Sequence, residues 1–337
     1  MRTINTRTTL VIATALVGLT LSACSSGSEA ASSSSEAAPA SSAGAASESG
    51  SAPAGAIESV GLMVQDMSNP FFSAMEKGAQ EATAAIGATL NTQDAQLDLA
   101  AQNTQIDAFI QQGVDLIVIS AVDQAGIGPA IQRAKDAGII VMAVDTPAEG
   151  ADAVIMTDAV QAGEKSCQYL FEQMGGKGNV LLVDGTVIQT IIDRITGCKT
   201  VAESFPDIKI VGQQASKNDR ASGLAVTTDM LTATPDVQGI FGMNDPSALG
   251  AVLAVEQAGK TADIKVTGVD GSPVAVDELN REGSPFIGTA TQNPAEMVRK
   301  AVEIAQEMAA GNPPAETTIL IPSELVTRDN VSEYSGW

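Results

Sequence analysis

The chain has no histidine among its 337 residues. That excludes Ser-His-Asp and Cys-His nucleophilic catalysis and any metal site built on imidazole. Aromatics are scarce, with 7 Phe, 2 Tyr and 1 Trp, so a pair of them side by side is conspicuous. Basic residues are outnumbered, 18 Lys and Arg against 40 Asp and Glu, giving a net charge of −22. Nucleic acid and anionic lipid surfaces need clustered Lys and Arg, and this chain does not supply them. Long apolar runs are missing as well. The best, "TTLVIATALVGLTL" at 8–21, is too short to remain in a bilayer as a permanent span. No 12-residue EF-type loop stands among the acidic segments, and neither a metal nor any other cofactor is expected. Cysteine occurs three times, at Cys24, Cys167 and Cys198.

What is present begins with Arg2 and Arg7 ahead of that apolar run, the arrangement of a secretory leader. The run ends in "LSAC", Leu21 to Cys24. This ending resembles a bacterial lipobox, which implies removal of residues 1–23 and acylation of Cys24. An ordinary leader followed by an unrelated Cys is the alternative. Two or more acyl chains hold a protein stably at a membrane where one is marginal. Loss of Arg2 and Arg7 leaves 16 basic against 40 acidic residues, a net of −24. Residues 24–56 are almost wholly Ser, Ala and Gly with scattered Glu. They bury too little surface to offset their ordering entropy and are expected to form a disordered tether. As a flexible coil this tether spans on the order of 30 Å. The expected location is extracytoplasmic, lipid-anchored to the outer face of a bacterial cytoplasmic membrane. In such an oxidising compartment the remaining even pair, Cys167 and Cys198, favours a disulfide. Each falls in a predicted helix, and the two helices flank one strand. Two separate buried thiols are the alternative.

From Ile57 onward the chain is about 280 residues long, enough for two lobes rather than one core. Short β-rich runs recur: "VGLMV" (60–64), "VDLIVIS" (114–120), "IIVMAVD" (139–145), "NVLLVDG" (179–185), "IKIVGQ" (208–213), "VQGIFGMND" (237–245), "IKVTGVDG" (264–271) and "PFIGTATQ" (285–292). Between them apolar residues repeat at helical spacing, as at Ile106, Phe109 and Ile110. Near-continuous apolar strands alternating with amphipathic helices predict an α/β protein with parallel sheets covered on both faces. The strands end in polar residues: Gln65-Asp66, Ser120, Asp145, Asp184, Asn244-Asp245, Asp270 and Gln292. Ligands of open α/β sheets bind outside the carboxyl ends of the strands. Asp and Asn in such places also cap the following helix, so each residue carries both readings.

Five segments carry a resemblance: "SNPFFSAMEKGAQEAT", "AVDTP", "DRITG", "TATPDVQGIFGMNDPSALGA" and "KVTGVDGSP". Together they resemble the ribose type of periplasmic sugar-binding protein, served by ABC importers, over essentially all of 57–325. The resemblance implies the type I periplasmic binding protein fold, two Rossmann-like lobes with parallel sheets joined by a three-strand hinge. It implies crossings near Thr157-Asp158, Gln292-Asn293 and Ile319-Ile321. The N-terminal lobe is then 57–157 plus 293–318, and the C-terminal lobe 158–292 plus 319–337. Matched position by position, it implies ligand contacts at Asn69, Phe71, Phe72, Asp145, Arg194, Asn244, Asp270 and Gln292. Gln65, Ser120, Thr146 and Asn218 form an outer group. Three departures stand out. Thr146 replaces an Arg after Asp145, Ser120 replaces an Asn, and Lys217-Asn218 replaces a third aromatic. Fewer donors and one open stacking face suit a different pentose, a deoxy sugar or a linear polyol at least as well as ribose.

A neutral sugar offers hydroxyls that donate and accept together with weakly apolar C–H faces. Carboxylates, amides and one guanidinium match the hydroxyls, and an aromatic ring matches the faces. Phe71 and Phe72 follow Asn69-Pro70, which reads as N-cap and first residue of a helix. Successive helical residues point about 100° apart, so the two rings cannot both face the helix–sheet core. At least one, and Phe72 in preference, is expected against the ligand. Asp145 and Asp270 also admit a glycosidase reading, but no residue suggests an acid kept protonated, and the protein is expected not to be an enzyme. A DNA-binding regulator of this fold would need a basic helix-turn-helix ahead of Ile57, where only the leader and tether stand. The expected partners are a small neutral sugar or polyol and an ABC permease with its ATPase, with a monomer as the working state. A sensory receptor for a sugar or furanosyl signal is the functional alternative.

Overall fold

A computed structural model describes residues 55–334 and 336–337. The leader, Cys24 and all but the last two residues of the tether lie outside the described residues. Among the described residues no helix is long and apolar enough to cross a membrane.

The chain opens with β1 (Ser59–Val64), α1 (Pro70–Ile86), β2 (Thr89–Asp94), α2 (Leu99–Gln112), β3 (Leu116–Ile119), α3 (Gly128–Asp136), β4 (Ile140–Val144) and β5 (Ala153–Thr157). It then builds α4 (Ala159–Gln173), β6 (Lys177–Asp184), α5 (Gln189–Ala202), β7 (Asp207–Ala215), α6 (Arg220–Ala233), β8 (Gly239–Gly242), α7 (Asp245–Gln257), β9 (Lys265–Asp270), α8 (Pro273–Asn280) and β10 (Phe286–Thr291). It closes with α9 (Pro294–Ala309), β11 (Thr318–Ile321), β12 (Leu325–Thr327) and a 3-10 turn at Val331–Glu333.

These strands form two six-stranded sheets, ordered β11-β5-β4-β3-β1-β2 and β12-β10-β9-β8-β6-β7. All pairings are parallel except β10 with β12. The period-2 alternation of strands sends successive side chains to opposite faces. Leu62, Val64, Leu116, Val118 and Met142 pack on one face of the first sheet, with α1 and α9. Met63, Ile117, Ile119 and Val141 pack on the other, with α2 and α3. The second sheet is likewise covered by α4 and α5 on one face and by α6, α7 and α8 on the other. Two αβα lobes result, as expected.

Four strands carry no clear sequence signal. β2 lies at a sheet edge and is polar, with little of it buried. β5 follows β4 after eight residues with no helix between them, which breaks the strand–helix rhythm. β11 and β12 are four and three residues long.

The chain crosses between the sheets after β5, after β10 and after β11. The third crossing lies at 322–324 rather than at 319–321, because Ile319 to Ile321 still pair with Ile155 to Thr157 of β5. The crossings are bonded to one another. Asp158 N–H donates to Ile321 O (2.9 Å), Thr291 N–H to Glu324 O (2.7 Å) and Ser323 Oγ–H to Thr291 O (2.8 Å).

Helices α4 and α5 reach near backbone contact. A Cβ on Gly163 of α4 would stand 2.0 Å from Arg194 O, and one on Gly197 of α5 would stand 2.1 Å from Val160 O. With α4 and α5 so close, Cys167 and Cys198 are disulfide-bonded, their Cα atoms 5.1 Å apart. The bridge ties down α5, the helix that carries Arg194.

Candidate ligand-binding cleft

A cleft of about 530 Å³ lies between the lobes, outside the carboxyl ends of both sheets. From the first lobe it is lined by Gln65 after β1, Asn69, Phe71 and Phe72 at the start of α1, and Asp145 after β4. From the second lobe come Arg194 of α5, Asn218, Asn244 after β8, Asp270 ending β9 and Gln292 after β10. The fold thus gathers all eight inner residues in one place, with two of the outer group.

Asn69 is the N-cap of α1, its Oδ1 accepting from Phe71 N–H (3.0 Å). The cap aims the first turn at the cleft. Phe71 and Phe72 meet edge to face with ring centroids 5.3 Å apart, and both belong to the first lobe's core as well as to the cleft wall. From the second lobe the cleft is also lined by the apolar side chains of Ile191, Met243 and Leu249.

Asp145 and Asp270 both adopt positive φ, +64° and +143°. For a non-glycine residue such a backbone costs on the order of 1–3 kcal/mol and persists only where the surroundings enforce it. The glycine after Asp270 has a separate reason. Gly271 has φ +69°, and a Cβ there would lie 2.6 Å from the Tyr334 hydroxyl.

Asp270 is the polar hub of the second lobe. Its Oδ1 accepts from Gln292 Nε2 (2.8 Å) and faces Arg194 Nη1 at 3.5 Å. Its Oδ2 accepts from Asp245 N–H (3.2 Å). Arg194 Nη1 also donates to Met243 O (2.9 Å). Burial raises the pKa of Asp270 to about 6, against the pull of Arg194 and with a smaller push from Asp145. Its neighbour Asp245 is pushed up to about 8 by burial and by the Asp270 carboxylate. Asp245 does not line the cleft. It accepts from Ser272 N–H, Ser272 Oγ–H and Thr289 Oγ1–H and fixes the turn after β9. Burial also raises Asp145, opposed by Arg194, Thr146 and Ser120.

Ser120 and Thr146 correct the expectation. Neither lines the cleft, and both are buried behind it. Each hydroxyl accepts from Gln65 Nε2 (3.1 and 3.0 Å) and donates to Asp145 Oδ2 (3.4 and 3.2 Å). They hold two cleft residues rather than a ligand. Asn218 lines the cleft, yet its amide is engaged by Thr186, accepting from the N–H (2.9 Å) and donating to Oγ1 (2.7 Å). Asn244 caps α7, accepting from Ser247 N–H (3.0 Å), and its Nδ2 donates to Asn218 O (3.0 Å).

Sequence reasoning did not select Thr190, Ile191, Leu249 or Trp337. Thr190 and Ile191 precede Arg194 by four and three residues, the spacing that shares a helix face, and that spacing was the available signal. Trp337 follows no periodic element and gave none.

Two polar atoms of the cleft residues decide what the site wants. Arg194 Nε and Gln292 Oε1 are buried with no hydrogen-bond partner among the described residues. A buried polar atom without a partner costs about 1–3 kcal/mol. One is a donor and one an acceptor, and both belong to residues that line the cleft.

The model of the periplasmic binding protein domain matches residues 60–313. The chain belongs to this family. Within it the chain is of the ribose type. It is 30% identical over 273 residues to a ribose import binding protein of Bacillus subtilis, covering 80% of this chain and 87% of that one. It is 28% identical over 326 residues to a xylitol-binding protein of Mycolicibacterium smegmatis, covering 95% and 85%. Solved ABC transporter solute-binding proteins have the same two-lobed form. One from Bacillus halodurans holds myo-inositol (27% identity, TM-score 0.77, 83% of this chain and 98% of that one). One from Mycobacterium smegmatis holds glycerol (29% identity, TM-score 0.78, the same coverage). These relatives and neighbours of the chain are binding proteins.

Proposed function

We propose that this chain is the solute-binding component of an ABC importer, capturing a small neutral sugar or polyol between its lobes. The carrying observation is the pair of buried, unpartnered atoms, Arg194 Nε and Gln292 Oε1, on residues of the interlobe cleft. A hydroxyl-rich molecule supplies acceptor and donor at once. The charge balance disfavours an anionic one, since Asp145 and Asp270 together exceed Arg194 by one charge. An anionic sugar would meet that excess in a buried site. The aliphatic lining from the second lobe supports a pentose, a deoxy sugar or a linear polyol, whose C–H groups pack without a second aromatic ring. Delivery to a permease and its ATPase is supported by the import proteins among its relatives. The sensory alternative has no such support.

Cys24, by its lipobox, is proposed to anchor the mature protein through acyl chains, with residues 24–56 as the tether. Labelled fatty acid should enter the native chain and not a Cys24→Ala variant, which should leave the membrane fraction.

A melting-temperature screen over pentoses, hexoses and C4–C6 polyols tests the ligand class, because a ligand of the native state raises the melting point by mass action. At least one neutral compound is expected to stabilise the protein at micromolar to millimolar concentration. Response only to sugar acids or sugar phosphates would overturn the proposal. Loss of labelled-sugar uptake on deleting the gene is expected, and unchanged uptake would return the sensory reading.

A further inference from the structure

Trp337 is the chain's single tryptophan. Its Nε1–H donates to the Asp270 carbonyl at 2.8 Å. Its ring stands edge to face with Phe71, centroids 5.8 Å apart, packed against the first lobe's core. One residue therefore touches a cleft residue of each lobe. Three residues earlier, the Tyr334 hydroxyl donates to the Gly271 carbonyl at 2.9 Å. Both carbonyls of the Asp270-Gly271 turn are thus held by this tail. Asp270 has the unusual φ of +143°, and its carbonyl accepts from Gln292 N–H (2.8 Å) as well as from the indole of Trp337. On the other side, Phe71 is held between Trp337 and Phe72.

We propose that Trp337 is a positioning residue of the cleft and a fourth, noncovalent tie between the lobes beside the three crossings. It sets the backbone of Asp270 through its indole N–H and backs the Phe71–Phe72 wall with its ring. Any rotation of one lobe against the other must change the Trp337–Phe71 contact, because the two partners of Trp337 move apart. Ligand capture and the environment of Trp337 are therefore linked. The inference rests on the solute-binding reading above and adds a residue that does not itself line the cleft.

The test uses the best-binding compound among D-ribose, xylitol and myo-inositol, with affinity by calorimetry and tryptophan emission recorded in the same titration. In the native protein the emission should shift on binding and saturate with the calorimetric affinity. Trp337→Ala should weaken binding by about tenfold, from the loss of one hydrogen bond and one edge-to-face contact. Trp337→Phe, which keeps a ring, should recover part of that loss. Affinity of Trp337→Ala within about twofold of native overturns the inference, even where its melting point falls, because the tail is then a structural strap only. Emission unmoved at saturating ligand overturns it equally, and needs no variant to fold. If none of the three compounds, nor any hit of the wider screen, binds the native protein, the solute-binding reading fails first and this inference with it.

Discussion

Single side chains divide into those that line the cleft and those that hold them. Asp145→Ala and Arg194→Ala each remove a buried charged partner and should weaken binding by about 2–3 kcal/mol, roughly 30- to 150-fold. Thr146→Val keeps the shape but removes a donor to Asp145, so it should lose only about 0.5–1.5 kcal/mol. Calorimetry on the three variants checks the order; equal losses would put Thr146 in the cleft after all. Asp270 adds a pH dependence. Burial first, against Arg194, raises its pKa to about 6 in the unliganded protein. Hydroxyls donating to the carboxylate favour its charged form, so binding should release a proton near pH 6. Affinity should fall as pH drops through that value and level off above it. Proton release read in buffers of different ionisation enthalpy decides this, and none at pH 6 would count against Asp270 as an acceptor. For the empty protein the sign is opposite. A carboxyl whose folded pKa exceeds its unfolded 3.8 contributes stability below about pH 4, and this is lost as pH rises through 6. Strand ends made Asp145, Asn244, Asp270 and Gln292 legible in the sequence, since chemistry collects there. The direction of a side chain is not legible there, and Ser120 and Thr146 lie buried behind the cleft rather than on it. Trp337 is not legible either, since its role depends on where the tail returns.

Secondary elements were readable where they are buried on both faces and opaque where they are not. β1, β3, β4 and β8 are near-continuous apolar runs with sheet neighbours on both sides. β2 at its edge faces water and reads as loop. The helix pair α4–α5 shows how small residues and a covalent bond work together. Gly163 and Gly197 admit close approach, and the disulfide between Cys167 and Cys198 fixes it. The bridge spans 31 positions in sequence. By loop entropy such a closure contributes about 3–4 kcal/mol. A Cys167→Ala, Cys198→Ala protein should unfold at correspondingly lower urea, with weaker ligand binding as a secondary effect, because Arg194 rides on α5. Denaturant titration with calorimetry separates the two effects. An unchanged unfolding midpoint would mean that helix packing alone sets the geometry.

At the scale of the whole molecule, each lobe is discontinuous in sequence, and the cleft lies between the two. Charged and polar groups of the two lobes meet in one buried site, so ligand should favour the closed arrangement. Small-angle scattering is expected to show a smaller radius of gyration at saturating ligand, and an unchanged radius would argue for a rigid cleft. The same discontinuity has a consequence for biosynthesis. The first sheet is complete only with β11, and α1 finds its packing partner only in α9, both of which follow the entire second lobe's β6 to β10. A ribosome adding about 5–20 residues per second needs roughly 15–65 s to pass Ile321. For most of that interval the N-terminal lobe lacks α9, one of the two helices that cover one face of its sheet. The first lobe therefore stays incomplete until late in synthesis, and the timing is set by the order of its strands.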